Sequence, residues 1–508
     1  MSVDNEPQNA AERKSAIRQR HEQAASEVLP THRSLYIGGE WTQSASGETF
    51  ETRDPTTGET LAEVQAGVAT DIDRAVAAAW NGYDERLSAM STADRQAMLE
   101  TMADRVAAKK EEFARLESLD NGKPITEARI DIGLVIDHFR YFAGIARAHE
   151  GSTVETDNSR HVQTLQEPYG VVGQIIPWNF PLLMAAWKLG PALAAGNAVV
   201  LKPAEQTPLS ILKLMEEAGD AIPDGVVNVV TGFGEEAGAP LANHGDIRKL
   251  AFTGSTEVGR EVMKSAADSV TDLTLELGGK SPLVVFPDAD LEQAVQTTLT
   301  AIFFNTGECC CAGSRLFVHE DVREEFLAEL ADAAEALEVG DPLLESTDLG
   351  PKVTAEQVER TMGYINEARD AGAEFVTGGD APDDEALAEG CFVTPTLIAQ
   401  IDHDNRAVQE EIFGPVQEVF TWSDYDEMIE LANDVDYGLA AGVITEDLTR
   451  AHQCAKDIEA GNIWVNTYND FPAGQPFGGY KQSGIGRETA QQAVDHYTQT
   501  KTVNISLD

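Results

Sequence analysis

Apolar positions in this chain recur in two rhythms. Val171 to Trp178 and Ala198 to Lys202 are short continuous apolar runs, the pattern of strands covered on both faces. Between them, Pro181 to Ala195 predicts a helix. A further helix is expected from Thr207 as N-cap, with Pro208 in its first turn. Val226 to Val230, Lys249 to Thr253 and Leu273 to Leu277 continue the strands, and the alternation predicts a parallel sheet with helices on both faces. Ligands of such sheets gather at the carboxyl ends of the strands. After Gly278-Gly279 a second strand and helix series begins with Ser281 to Phe286, and runs through Arg315 to Val318, Phe392 to Gln400 and Ile463 to Asn466.

Upstream, Leu35 to Trp41 (LYIGGEW) reads as one short strand. Asp71 to Trp80, Thr92 to Glu117 and Asp131 to Arg147 carry helical periodicity, and Gly122 with Pro124 closes the second of these. Residues 151–167 are polar and β-branched, which suits a hairpin standing off the body. The β-branched tail Gln499 to Ile505 is expected to pair with that hairpin in a neighbouring subunit, giving a homodimer or homotetramer. Residues 1–29 are expected as a flexible or helical extension.

Composition narrows the setting. No apolar run approaches the roughly 20 residues of a membrane span, and the polar N-terminus lacks a signal-peptide core, so a cytoplasmic protein is expected. Five cysteines, three of them consecutive, fit free thiols in a reducing compartment better than a disulfide framework. With 86 acidic against 37 basic residues the net charge is −49, which disfavours nucleic acid as a partner. The acidic residues interleave with apolar helical positions, so they read as a solvated folded surface suited to high salt.

Three segments carry candidate chemistry. In FNTGECCCAGSR (Phe304 to Arg315) a thiol in a small-residue loop can meet a substrate, although a buried cysteine is also an ordinary small hydrophobe. In LELGGKSP (Leu275 to Pro282) Glu276 ends an apolar strand, as a lysine's partner or as a general base with a pKa raised by burial. In PWNFP (Pro177 to Pro181) Asn179 could cap a helix or donate to a developing oxyanion. The glycine-rich stretch TGFGEEAG (Thr231 to Gly238) looks like a dinucleotide fingerprint, but a lone match of that kind is weak.

With KPAEQTP (Lys202 to Pro208), FTGSTEVG (Phe252 to Gly259), EEIFGPV (Glu410 to Val416) and FGGYKQSGIGRE (Phe477 to Glu488), these segments resemble the aldehyde dehydrogenase superfamily in order and spacing, from about Leu35 to the C-terminus. The resemblance implies an α/β fold: a Rossmann-like cofactor domain (30–150 and 168–278), an α/β catalytic domain (279–488) and a small β bridging element (151–167 and 489–508). It implies oxidation of an aldehyde with NAD, NADP being the alternative, and no metal. Cys310, the middle thiol, aligns with the nucleophile. Asn179 and the Cys310 N–H align with the oxyanion donors, Glu276 with the base that activates water, and Lys188 and Glu488 with a proton relay.

On the cofactor side the resemblance places Ile176 and Trp178 as main-chain contacts and Lys202 and Glu205 on the adenosine ribose. Gly234 and Gly238 fall near adenine, Ser255 at the pyrophosphate, and Glu411 and Phe413 at the nicotinamide end. A carboxylate at Glu205 would repel a 2′-phosphate, favouring NAD. Phe180, Trp187, Phe471 and Phe477 align with the lining of a substrate tunnel, open to an aliphatic or aryl aldehyde, a semialdehyde, or a trimethylammonium aldehyde held by cation–π contacts. Glu308 departs from the commonest form of the cysteine motif, which has glutamine there. The retained Glu276 argues against a CoA-acylating relative, and the intact trio of Cys310, Glu276 and Asn179 argues against a non-catalytic, crystallin-like one.

Overall fold

The structure, a computed structural model, describes residues 9–507. Two mixed sheets organise an α/β fold. In the first, Val227–Val229, Ala198–Lys202, Val171–Ile175, Lys249–Thr253 and Asp272–Glu276 lie parallel in that order, each buried or nearly so. Burial on both faces is why these strands read as unbroken apolar runs. The helix Pro181–Ala195 between two of them is buried along its whole length.

The second sheet holds six parallel strands, in the order Thr396–Ala399, Val416–Trp422, Arg315–His319, Pro282–Val285, Ala440–Ile444 and Asn462–Val465, with Glu374–Thr377 antiparallel at one edge. The chain then returns to the first sheet. Gly484–Ile485 pairs antiparallel with Glu276 and Leu275, bringing the C-terminal segment against the end of the Glu276 strand. A Cβ at Gly484 would lie 2.3 Å from the Leu275 carbonyl oxygen, so only glycine permits this pairing.

Several sequence expectations are corrected. LYIGGEW is a hairpin, not one strand: Leu35–Ile37 and Glu40–Thr42 pair across Gly38 and Gly39, both with left-handed φ. Thr92 to Glu117 is two helices, Thr92–Ala108 and Lys110–Asn121, parted where Lys109 leaves helical geometry. Thr207 is not the N-cap of the following helix, Leu209–Ala218. Its hydroxyl donates to the Trp178 carbonyl, and the Leu209 N–H donates to the distant Asp120 carboxylate instead. Of the two forms expected for residues 1–29, the helical one is found over Ala10–Val28, residues 1–8 lying outside the described residues, and on it buried His21 bridges Asp54 (2.6 Å) and Asp341 (2.8 Å). The tail strand Thr498–Ser506 pairs antiparallel with Arg160–Pro168 of its own chain, not of a neighbour. The register runs unbroken over nine residues.

Candidate active site

The Asn179 turn follows the strand Val171–Ile175 and ends where Pro181 opens the buried helix. Asn179 is buried there, and its side-chain Nδ2 donates to the Glu308 carbonyl oxygen at 3.0 Å. Its own carbonyl accepts from Lys123 Nζ (2.9 Å) and Asn305 Nδ2 (3.0 Å). Asn121 Nδ2 donates to the neighbouring Trp178 carbonyl. The turn is therefore mounted on the C-terminal end of the helix Lys110–Asn121 and on the cysteine loop.

That loop turns sharply: Asn305, Thr306 and Gly307 hold φ of 52°, 55° and 71°. Gly307 backs directly onto Gly414, where a Cβ would come within 2.2 Å of the carbonyl oxygen. The turn delivers Cys309, Cys310 and Cys311 to one cleft. Cys310 is the half-buried member, while its neighbours are buried with their sulfurs 3.3 Å apart. The Tyr468 hydroxyl donates to the Cys311 carbonyl and fixes the far side of the loop.

Glu276 ends its strand opposite Thr253. Its carboxylate is buried, neither oxygen has a hydrogen-bond partner, and a Cβ at Gly478 would lie 2.7 Å from Oε1. Burial pushes its pKa well above the ordinary carboxylate value, and the Glu488 charge adds to this, opposed by Lys188. Lys188 pairs with Glu488, not with Glu276, and also donates to Thr253 Oγ1 at 2.6 Å. The unpartnered oxygens are the feature an ordinary structural glutamate would lack.

One cleft gathers these groups. Asn179, Glu276 and all three cysteines line it, together with Phe180, Trp187, Phe471 and Phe477 and with Trp178, Ser255, Glu411 and Phe413. Trp187, Phe471 and Phe477 have mutual ring-centre distances of 5.2 to 6.2 Å. Phe413, with φ of 62°, meets Trp178 edge-on at 5.2 Å. Glu411 accepts from the Gly279 N–H at 2.9 Å, and burial raises its pKa to about 7.

Lys188 and Glu488 lie outside the cleft lining and act on Glu276 through their charges. The adenosine-side candidates also lie outside it. Ile176 donates to the Lys202 carbonyl, Lys202 Nζ pairs with Glu205 at 2.9 Å, and a Cβ on Gly238 would stand 3.9 Å from Lys202 Cδ, so four of these five residues form one patch. Gly234 faces open space. Ser255 caps the helix Thr256–Ser269 by accepting from Val258. The site also contains residues that sequence reasoning missed: Asp131, Gln357 and Arg360 line the cleft, and Arg360 donates to the Glu411 carbonyl. Among the described residues, no group of three or more histidine, cysteine, aspartate or glutamate side chains could hold a metal ion.

The cleft brings thiols, a buried carboxylate and a side-chain amide together, and comparison with known proteins gives the family. Residues 41–503 match the aldehyde dehydrogenase family. The chain is 48% identical over 480 residues to an aldehyde dehydrogenase of Vibrio cholerae, covering 93% of this chain and 94% of that one. It is 47% identical over 479 residues to the mitochondrial benzaldehyde dehydrogenase of Antirrhinum majus, covering 93% and 89%. The NAD+ complex of a Bacillus cereus aldehyde dehydrogenase superposes with a TM-score of 0.93 at 44% identity, covering 95% and 98%. The chain belongs to the aldehyde dehydrogenase family, and it is an NAD-dependent enzyme that oxidises an aldehyde.

Proposed function

We propose that Cys310 attacks the aldehyde carbon and that Glu276 activates the water that later releases the carboxylic acid. The observation that carries this reading is the buried Glu276 carboxylate, with no protein partner, sharing one cleft with Cys310 and Asn179. Attack by the Cys310 sulfur gives a thiohemiacetal whose oxygen bears the developing charge. The Asn179 amide and the Cys310 N–H hold that oxygen, and one such donor is worth about 3–4 kcal/mol. NAD, when bound, supplies the two-electron acceptor that leaves a thioester on Cys310. A raised pKa suits Glu276 to take a proton from water near neutral pH, and Lys188 with Glu488 carries that proton away.

The chain's donor set fits NAD. Lys202 and Glu205 take the adenosine ribose, with Ile176, Gly234 and Gly238 around the adenine. Trp178 and Ser255 line the middle of the site, and Glu411 and Phe413 the nicotinamide end. The Glu205 carboxylate accepts ribose hydroxyls and repels a 2′-phosphate, so NAD is preferred to NADP. Phe180, Trp187, Phe471 and Phe477 supply an aromatic wall for an aliphatic or aryl aldehyde, and the benzaldehyde dehydrogenase relative supports the aryl class.

Glu276→Gln should give one burst of NADH per site followed by turnover lowered by about 10²-fold or more. Steady-state turnover equal to that of the parent overturns the assignment of Glu276. Assembly as a homodimer or homotetramer is supported by the largely exposed three-stranded sheet of Thr153–Val154, Arg160–Pro168 and Thr498–Ser506. A chain ending at Tyr497 should sediment as a smaller species, and an unchanged mass rejects that surface as the interface.

A further inference from the structure

Glu308 stands where the commonest cysteine motif has glutamine, and its side chain is only 2% exposed. A buried carboxylate is costly unless it is paired. Lys352 supplies the pair: Nζ lies 2.9 Å from Glu308 Oε1, with the lysine side chain fully buried. The same Nζ also donates to the main-chain carbonyl of Phe413 at 2.6 Å. Phe413 holds a left-handed φ of 62°, which a bulky residue keeps only where its surroundings impose it. On the other side, the Glu308 carbonyl accepts from both Asn179 Nδ2 and Asn305 Nδ2 at 3.0 Å. Gly307 and Gly414 touch backbone to backbone beside the pair. Two loops that bear on the reaction thus meet along a seam bridged by a charge-assisted hydrogen bond, which is stronger than one between neutral amides.

We propose that the Lys352–Glu308 ion pair is a positioning strut that sets the Cys310 loop and the Phe413 loop as one unit. Neither residue touches the reacting atoms. Lys352 holds the Phe413 carbonyl, Glu308 holds Lys352, and the Glu308 main chain receives the Asn179 amide. The strut makes the thiol, the oxyanion donor and the Phe413 ring keep a common spacing. The proposal rests on the reading of Phe413 as the nicotinamide contact.

The signature of a strut is a reciprocal effect across the seam. Glu308→Gln, on the cysteine loop, should raise the NAD KM, and Lys352→Met, on the Phe413 side, should slow alkylation of Cys310 by iodoacetamide, each by about tenfold. The double variant Glu308→Gln/Lys352→Met leaves no unpaired buried charge, so it should fold, and its losses should be no larger than those of the worse single variant. Melting temperatures set a common assay temperature well below every transition. The proposal is overturned if each single variant affects only its own side of the seam, if the two losses multiply in the double variant, or if all three match the parent. Phe413→Ala tests the underlying reading separately. An unchanged NAD KM in that variant removes Phe413 from the nicotinamide site, while cross-seam effects in the other variants would still report the coupling.

Discussion

Cys310 stands in the chain between Cys309 and Cys311, whose sulfurs are 3.3 Å apart. The adjoining Cys309 thiol pushes the Cys310 thiol well above its ordinary value, and burial adds to that. The same sulfur contacts pull Cys309 down. The Cys310 thiol is therefore held toward its protonated form. Only the thiolate attacks. Cys309→Ala removes the largest cause, so the alkylation rate of Cys310 should rise at lower pH than in the parent. Peptide mapping of iodoacetamide-treated protein across pH 6 to 10 reads this directly, and an unchanged or higher midpoint refutes it. At this scale the sequence was legible where chemistry is written in a short motif: Cys310, Glu276 and Asn179 meet in one cleft. Asp131, Gln357, Arg360 and Lys352 were not legible. Each is an ordinary polar residue on a distant segment, and its meaning comes only from what the fold sets beside it.

The helix Ala10–Val28 shows the same limit among elements. Its polar sequence gives no apolar stripe, because much of what holds it is charge. Arg13 pairs with Asp384, Lys14 and Arg18 with Glu389, and buried His21 with Asp54 and Asp341. Burial alone would lower the His21 pKa, but the hydrogen bonds and charges of Asp341 and Asp54 outweigh it and raise the value to about 9. A raised pKa stabilises fully below the unfolded value near 6.5, and the contribution is lost as pH rises through about 9. Amide exchange within this helix should therefore accelerate between pH 7 and 9 beyond the intrinsic base-catalysed rise. His21→Gln should weaken its docking by about 3 kcal/mol and abolish the excess. Excess acceleration that persists in His21→Gln assigns it to another group. By contrast, Pro181–Ala195, Ala198–Lys202 and Lys249–Thr253 match the sequence reading to the residue, because burial on all sides writes itself as continuous apolarity. The break at Lys109 carries no proline or glycine and left no local trace.

Across the whole molecule the dominant physical fact is the net charge of −49. The helix Arg323–Glu335 shows how it is carried: Phe326, Leu327 and Leu330 are buried while Glu324, Glu325 and Glu329 face water. This acidic stretch is thus the outer face of a folded helix, as its interleaving with apolar positions indicated. Salt acts on this surface in two opposed ways. It weakens exposed pairs such as Arg13 with Asp384, each worth about 1 kcal/mol or less. It also relieves repulsion among 86 acidic residues that outnumber the 37 basic ones more than twofold. The screening length falls from about 10 Å at 0.1 M to about 3 Å at 1 M, and most acidic residues have no cation to lose, so relief should win. The melting temperature is expected to climb with KCl from dilute buffer into the molar range. Sodium sulfate at matched ionic strength separates the causes, because it also strengthens apolar burial by exclusion from the surface. A rise in both salts supports charge screening. A rise in sulfate with a flat KCl curve shows that strengthened burial is the cause, and that the acidic surface does not depend on salt.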